Sequence, residues 1–239
     1  MDFTLLRRRA SGQPEADPAA TADTAVGGKG RKQNKAPKST ARNIVELLLT
    51  IAGAIVIALL VQAFLFKPYT IPSGSMEPTL TIGQRIIVNR LDTNPSIGDV
   101  VVFHPSALAG SSNTECLNST QGPGTRSGQG CDVADPVESS ETYVKRLVGL
   151  PGDHLRIIGG YVYRNGHRET GKYVNLTNCP GSGECNLPTE FTVPKGDYYM
   201  MGDNRGNSDD SRYWGPIPQR NVIGVAIITY WPIDRIGFF

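Results

Sequence analysis

The sequence predicts a mostly β protein: an antiparallel-sheet domain with coiled, barrel-like sheets, behind one transmembrane helix and a disordered N-terminal tail. Three observations predict it. Basic and small polar residues fill the first 43 positions. A long apolar run follows. Beyond it, short β-branched and aromatic runs alternate with Gly, Pro and Asn.

The tail, 1–43, holds nine Lys/Arg against four acids, a net +5 that leaves −3 of the overall +2 for the rest. It has too few large apolar residues to offset the entropy of ordering, which predicts disorder. The run 44–66 (Ile44 to Phe66) carries only Glu46, Thr50 and Gln62 as polar residues. Twenty-three helical residues span about 35 Å, enough for a hydrocarbon core of about 30 Å. The run is longer than a signal-peptide core of about 7–15 residues, and no small-x-small pattern closes it. A buried helix of a soluble protein is the competing reading. Basic residues gather before the run and only Lys67 sits just after it. The bias places the N-terminus in the cytoplasm and 67–239 outside, in a single-pass cell-membrane protein.

Past Lys67 the candidate strands are 85–89, 100–104, 143–150, 155–158, 161–164, 198–201 and 222–231. Gly159-Gly160 and Asn165-Gly166 separate strand-like runs in the manner of two-residue hairpin turns, which predicts a meander. No amphipathic helical pattern or internal repeat appears. Residues 105–141 are mostly Gly, Ser, Thr, Asn and Pro and read as an inserted loop, long for a compact domain. Cys116, Cys131, Cys179 and Cys185 all follow the apolar run and permit three pairings. The local pairs Cys116–Cys131 and Cys179–Cys185 are preferred, the first contributing roughly 3 kcal/mol by the chain-entropy estimate. Free thiols are the alternative. Zinc is a further one, but C-x-x-C and paired-His spacings are missing and no metal site is expected.

Three polar segments can carry chemistry. Around Ser73-Gly74-Ser75, Pro72 and Pro78 restrict the backbone and Gly74 permits close approach, suiting an exposed nucleophilic hydroxyl with oxyanion donors beside it. Phe66 to Ser75 reaches at most about 30 Å extended, so Ser75 is expected near the membrane face. In 143–153, Lys145 interrupts an apolar strand. Desolvation lowers a lysine pKa and makes its neutral amine a base at moderate pH. The segment 202–212 is almost wholly polar between apolar strands, which suits a hydrogen-bonded support; the EF-hand spacing is absent. Each has a bland reading: an ordinary turn, a solvated edge lysine, a surface loop.

Together, in this order behind an apolar span, the segments resemble the sequence boxes of bacterial type I signal peptidases, enzymes that remove signal peptides from exported proteins. The serine box is similar to 72–80, a second box to 98–103, the lysine box to 143–153 and the last to 202–212; the likeness covers roughly 60–239. The resemblance implies a Ser/Lys-dyad serine endopeptidase with Ser75 as nucleophile and Lys145 as general base. Ser73 and the Ser75 backbone N–H would form the oxyanion hole. Ser208 would hydrogen-bond and orient the lysine, with Asp210 and Arg212 as a supporting ion pair. Tyr69, Ile71, Pro72, Met76, Ile86, Val102, Tyr143 and Val144 would line shallow pockets selecting small-x-small (Ala-x-Ala-like) sites. The implied partners are signal-peptide-bearing preproteins and the lipid bilayer, with no cofactor, no nucleic acid and a monomeric state. Gly206 and Thr142 depart from the family pattern, which often has acids there.

Met76, Trp231, Phe238 and Phe239 are candidates for dipping into the membrane interface, with a core position the alternative for Trp231. His104, His154 and His167 are expected to be structural; a base role for His104 is the competing assignment. Two rival functions remain: a self-cleaving Ser/Lys protease of the repressor type, and an anchored, catalytically silent binding domain.

Overall fold

A computed structural model of the chain describes residues 40–110, 128, 130–179 and 183–239. The proposed tail over 1–39 and Cys116 lie outside the described residues. The chain divides into two units, 1–47 and 48–239, and every site below lies in the second.

Helix α1 spans Thr40–Phe64; its Thr40–Gln62 stretch has mean hydropathy 2.8 and buries nothing inside the protein. Residues 40–43, expected in the tail, thus belong to the helix. At the other end the helix stops short of Phe66, because Pro68 disfavours helical backbone at Lys67 and has no N–H to continue the ladder. The chain instead enters strand β1 (Phe66–Thr70), antiparallel to β2 (Arg85–Asn89).

The remaining strands are β3 (Val100–Phe103), β4 (Tyr143–Gly149), β5 (His154–Ile158), β6 (Tyr161–Arg164), β7 (His167–Arg168), β8 (Leu187–Thr192), β9 (Asp197–Met201), β10 (Ile217–Pro218), β11 (Val222–Trp231) and β12 (Gly237–Phe238); a short helix α2 (Ser211–Trp214) follows β9. They form a large sheet of order β1-β2-β11-β3-β4-β9-β10, with β12 on β11, and a small sheet of order β7-β6-β5-β8. The ladders are antiparallel throughout. Both expected two-residue turns are present: Gly159, Gly160, Asn165 and Gly166 all have positive φ, as such hairpins require.

The ten-residue β11 pairs with β2 along one part and β3 along another, with register shifts at Val222/Gly224, Ala226/Ile228 and Thr229/Trp231. Such bulges bend a strand and coil the sheet. At Gly224 a Cβ would stand 2.2 Å from the Asn89 carbonyl oxygen, so only glycine permits the approach. The coiled sheet is covered on both faces. Val100 and Val102 enter a cluster with Ile71, Met76, Ile86 and Val88, while Val101 and Phe103 enter another with Leu147, Met200 and Trp214. This explains why β3 reads as a continuous apolar run. A third cluster seals the small sheet, through Leu155, Ile157 and Phe191, against Val148, Tyr199 and Met201.

Met76 is buried, at 1% exposure, so the expectation that it enters a membrane interface is corrected: its side chain anchors the serine segment in the core. Trp231 and Phe239 are exposed and Phe238 is 83% exposed, which removes the core alternative for Trp231. Cys179–Cys185 is a disulfide with Cα atoms 5.6 Å apart, and Cys131 is also disulfide-bonded, so neither free thiols nor a zinc site describes these three.

Leu155 is fully buried in the third cluster. Leu155→Ala is expected to destabilise the protein by about 2–5 kcal/mol. Urea unfolding of the full chain in detergent measures this; a loss below about 1 kcal/mol would contradict the packing described.

Candidate active site

Ser75 sits in a single 3₁₀ turn, Gly74–Met76, between β1 and β2. The turn is held from both sides. Beneath it Met76 and Leu80 fill the core, and the Leu80 N–H donates to the Met76 carbonyl at 2.9 Å. From across the cleft, Asn204 donates its backbone N–H to the Ser75 carbonyl (3.0 Å) and its Nδ2 to the Gly74 carbonyl (3.1 Å). Close by is Gly202, where a Cβ would stand 2.5 Å from the Ser75 carbonyl oxygen and 2.2 Å from Ser208 Oγ. Glycine is required there by close approach rather than by a special φ.

Strand β4 brings Lys145 beneath the turn. Its Nζ donates to Ser75 Oγ at 2.7 Å, and the residue is 4% exposed. Burial pushes the Lys145 pKa down to about 8. The Asp210, Asp209 and Asp203 charges work against that fall and Arg212 adds to it. Ser73, exposed at the cleft mouth, places its Oγ 3.3 Å from Ser75 Oγ, a long bond, and donates to it.

The polar segment 202–212 encloses the lysine. Arg212 grips Asp210 through two bonds, Nε to Oδ1 at 2.8 Å and Nη2 to Oδ2 at 2.9 Å. Asp210 also accepts the Gly202 N–H at 3.0 Å and the Arg212 N–H at 3.2 Å, capping α2. Burial alone would raise the Asp210 pKa; the Arg212 charge and these donors outweigh it and hold the carboxyl below its ordinary value. The expected Ser208–Lys145 hydrogen bond is not formed. Ser208 Oγ is buried with no hydrogen-bond partner, aimed into the crowded space over Gly202. The expected bond to the lysine is therefore absent, and Ser208 Oγ packs over Gly202 instead.

A second buried pair was assigned no role from sequence. Arg146, next to the lysine, donates to both oxygens of Asp203 (2.7 and 2.6 Å), while Asp203 also accepts from Thr79 Oγ1 and the guanidinium lies 3.7 Å over the Tyr173 ring. The serine segment, β4 and the polar loop therefore meet at one carboxylate. The signal for it was an arginine beside a lysine in an apolar strand.

Above Ser75 and Lys145 opens a cleft of about 690 Å³. Tyr69, Ile71, Pro72, Met76, Tyr143 and Val144 line it as expected. Ile86 and Val102 do not: both are fully buried and pack beneath its floor, so their contribution is shape rather than contact. None of the three histidines lines the cleft; His104 Nδ1 instead meets the Glu141 carbonyl at 2.7 Å.

A hydroxyl and a buried amine in contact at the foot of an apolar cleft on a coiled antiparallel sheet define a class, a hydrolase-like site built on serine and lysine. Residues 44–231 match the family described as signal peptidase, peptidase S26, and the chain belongs to that family. Among similar proteins, a probable signal peptidase I-1 of Synechocystis is 35% identical, covering 86% of this chain and 91% of its own. A signal peptidase I of Leptolyngbya laminosa is 32% identical over 81% and 83%. Signal peptidase I P of Bacillus subtilis subsp. natto is 31% identical over 81% and 92%.

Because Asn204 holds the Ser75 turn through two hydrogen bonds, Asn204→Ala is expected to lower peptidase kcat by about 10- to 100-fold with a smaller change in KM. Steady-state kinetics on a signal-peptide-bearing substrate read this. Equal loss in both parameters, or none, would contradict the positioning role.

Proposed function

We propose that this chain is a membrane-anchored serine endopeptidase that removes signal peptides from exported preproteins, using Ser75 as nucleophile and Lys145 as general base. The observation that carries the reading is the 2.7 Å approach of the buried Lys145 Nζ to Ser75 Oγ. Family membership supplies the substrate class.

In this mechanism the substrate lies extended in the cleft between the 69–73 segment and β4, using backbone hydrogen bonds as an added strand does. Small side chains one and three residues before the scissile bond fit the shallow walls, and large ones are excluded by the buried floor. With a pKa of about 8, roughly one-tenth of Lys145 is neutral at pH 7. Substrate displaces water from the cleft, which favours the neutral amine further. The amine takes the Ser75 proton as Oγ attacks the scissile carbonyl. Ser73 Oγ swings from Ser75 Oγ to the developing oxyanion, beside the Ser75 N–H. The ammonium then protonates the leaving amine, and a water, deprotonated by the same lysine, releases the acyl group.

Anchoring rests on α1, long and apolar enough to span a bilayer. The basic excess before it supports a cytoplasmic N-terminus. The exposed Trp231, Ile233 and Phe238 suit contact with the membrane interface. The polar 202–212 segment, with Asp210 and Arg212, maintains the lysine environment, and Cys116–Cys131 remains the proposed partner bond for Cys131.

Ser75→Ala and Lys145→Ala are each expected to abolish cleavage of a preprotein with an Ala-x-Ala site in detergent, with folding preserved. Wild-type-like activity in either variant would end this assignment. Because the base must be deprotonated, kcat/KM is expected to rise with pH through an apparent midpoint of about 8. A profile flat from pH 6 to 9 (a range of roughly one unit and more on either side of the midpoint) would contradict a lysine base. Ser73→Ala is expected to cost about 10²–10³ in kcat, the usual loss for one oxyanion donor; kinetics at saturating substrate check it.

A further inference from the structure

Two carboxylates in the cleft are assigned no contact with substrate in the mechanism above, although the charge of one of them, Asp209, also acts on Lys145. Asp209 and Glu141 both line it. Asp209 is held there: its Oδ2 accepts the Gly110 N–H at 2.7 Å. Burial, then the charges of Asp209 and Glu141, push the Tyr143 pKa up to about 12, so both acids are felt at the cleft wall. Neither is in an ion pair among the described residues. Among the lining residues Lys145 is the only base, and it is committed to Ser75. Among the described residues the cleft thus presents negative charge without an ion-pair partner beside Ser75 and Lys145, on walls that are otherwise largely apolar.

We propose that Asp209, aided by Glu141, is a specificity-determining residue that favours preproteins carrying a lysine or arginine within two residues of the scissile bond and disfavours those carrying an acid there. This rests on the peptidase reading of the same cleft. A cationic side chain reaching along the cleft wall meets a carboxylate already oriented by the Gly110 N–H, so little ordering is needed on the protein side. An acidic side chain meets like charge in a partly desolvated groove. The small-side-chain pockets are untouched by this, because Asp209 acts on neighbouring substrate positions.

Three substrates that differ only beside the Ala-x-Ala site, carrying Ala, Lys or Glu, test it with full-length protein in detergent at pH 8.5. The readout is the Lys-to-Glu ratio of kcat/KM within each enzyme, which cancels any general loss of activity. Wild type is expected to favour Lys by roughly fivefold or more at low salt, with the ratio shrinking as salt rises. Asp209→Asn keeps an acceptor for Gly110 and is expected to bring the ratio to within about twofold of unity, the residue left to Glu141. Asp209→Glu is expected to restore the preference. Should Asp209→Asn fold poorly, Glu141→Gln at its exposed position is expected to lower the ratio on its own. An equal rate on Lys and Glu substrates in wild type, or a ratio unchanged in Asp209→Asn, overturns the inference while leaving the peptidase reading intact. Failure of wild type to cut the Ala substrate would instead remove the peptidase reading, and the inference with it.

Discussion

Taking an ammonium group out of water costs several kcal/mol unless its surroundings compensate, and Lys145 is held almost wholly out of water against Ser75. The rest of the site answers that constraint. Burial lowers the pKa towards the range where a neutral amine exists, and the three aspartates around it keep the fall from going further. The position is therefore a balance, in which the hydrocarbon of β4 and its neighbours works against the charge of the 202–212 segment. A lysine on a solvated strand edge would have the same reach and none of the chemistry.

Holding that balance requires the polar segment to be rigid, and its rigidity comes from bonds that leave the site. Asp210 and Arg212 tie its far end to Gly202 at its start. Arg146 and Asp203 tie it to β4 and to Thr79. Arg205 runs outward: it donates to the Gly202 carbonyl on one side and to Glu169 and the Gly160 carbonyl on the other, linking the polar segment to the small sheet. Gly206 lies against the chain leading into the disulfide. A Cβ there would stand 2.4 Å from the Thr177 carbonyl oxygen and 2.7 Å from the Cys179 nitrogen. The absence of an acid at this position is thus a packing requirement of this molecule, and the small sheet with its disulfide acts as a buttress for the active loop.

Much of this was legible in the sequence, for physical reasons that also explain the gaps. β2, β6 and β11 could be bounded because period-2 or continuous apolar runs ended at Gly, Asn or Pro. Five strands escaped notice: β7 and β12, two residues each and too short to show a period, and β1, β8 and β10, each of which contains a proline, Pro68, Pro188 or Pro218. The last three share an explanation. All three lie at sheet edges, the place where a missing N–H is tolerated, so the residue that hid them also accounts for their position. At the site, Ser75 and Lys145 were singled out by residue type and local pattern, and the resemblance added their expected roles and those of Asp210 and Arg212. Asn204, Gly202 and the Arg146–Asp203 pair were not singled out, because their roles depend on backbone approaches between segments some 57 to 130 residues apart. Ile86 and Val102 were placed in the pocket by the resemblance; the pleat turns them beneath its floor instead. Ser208 shows the converse case, a hydroxyl brought to the site whose bond to the lysine does not follow from its position.

The most direct test of a buried, neutralisable lysine is the titration of Lys145 itself. Nitrogen-15 labelling of lysine side chains, with Lys145→Arg to assign the signal, gives the Nζ midpoint by NMR in detergent without reference to any substrate. A midpoint of about 8 is predicted. A midpoint at the solvated lysine value near 10.4 would contradict the account, because Lys145 would then be an ordinary cation beside Ser75 and not a base poised to activate it.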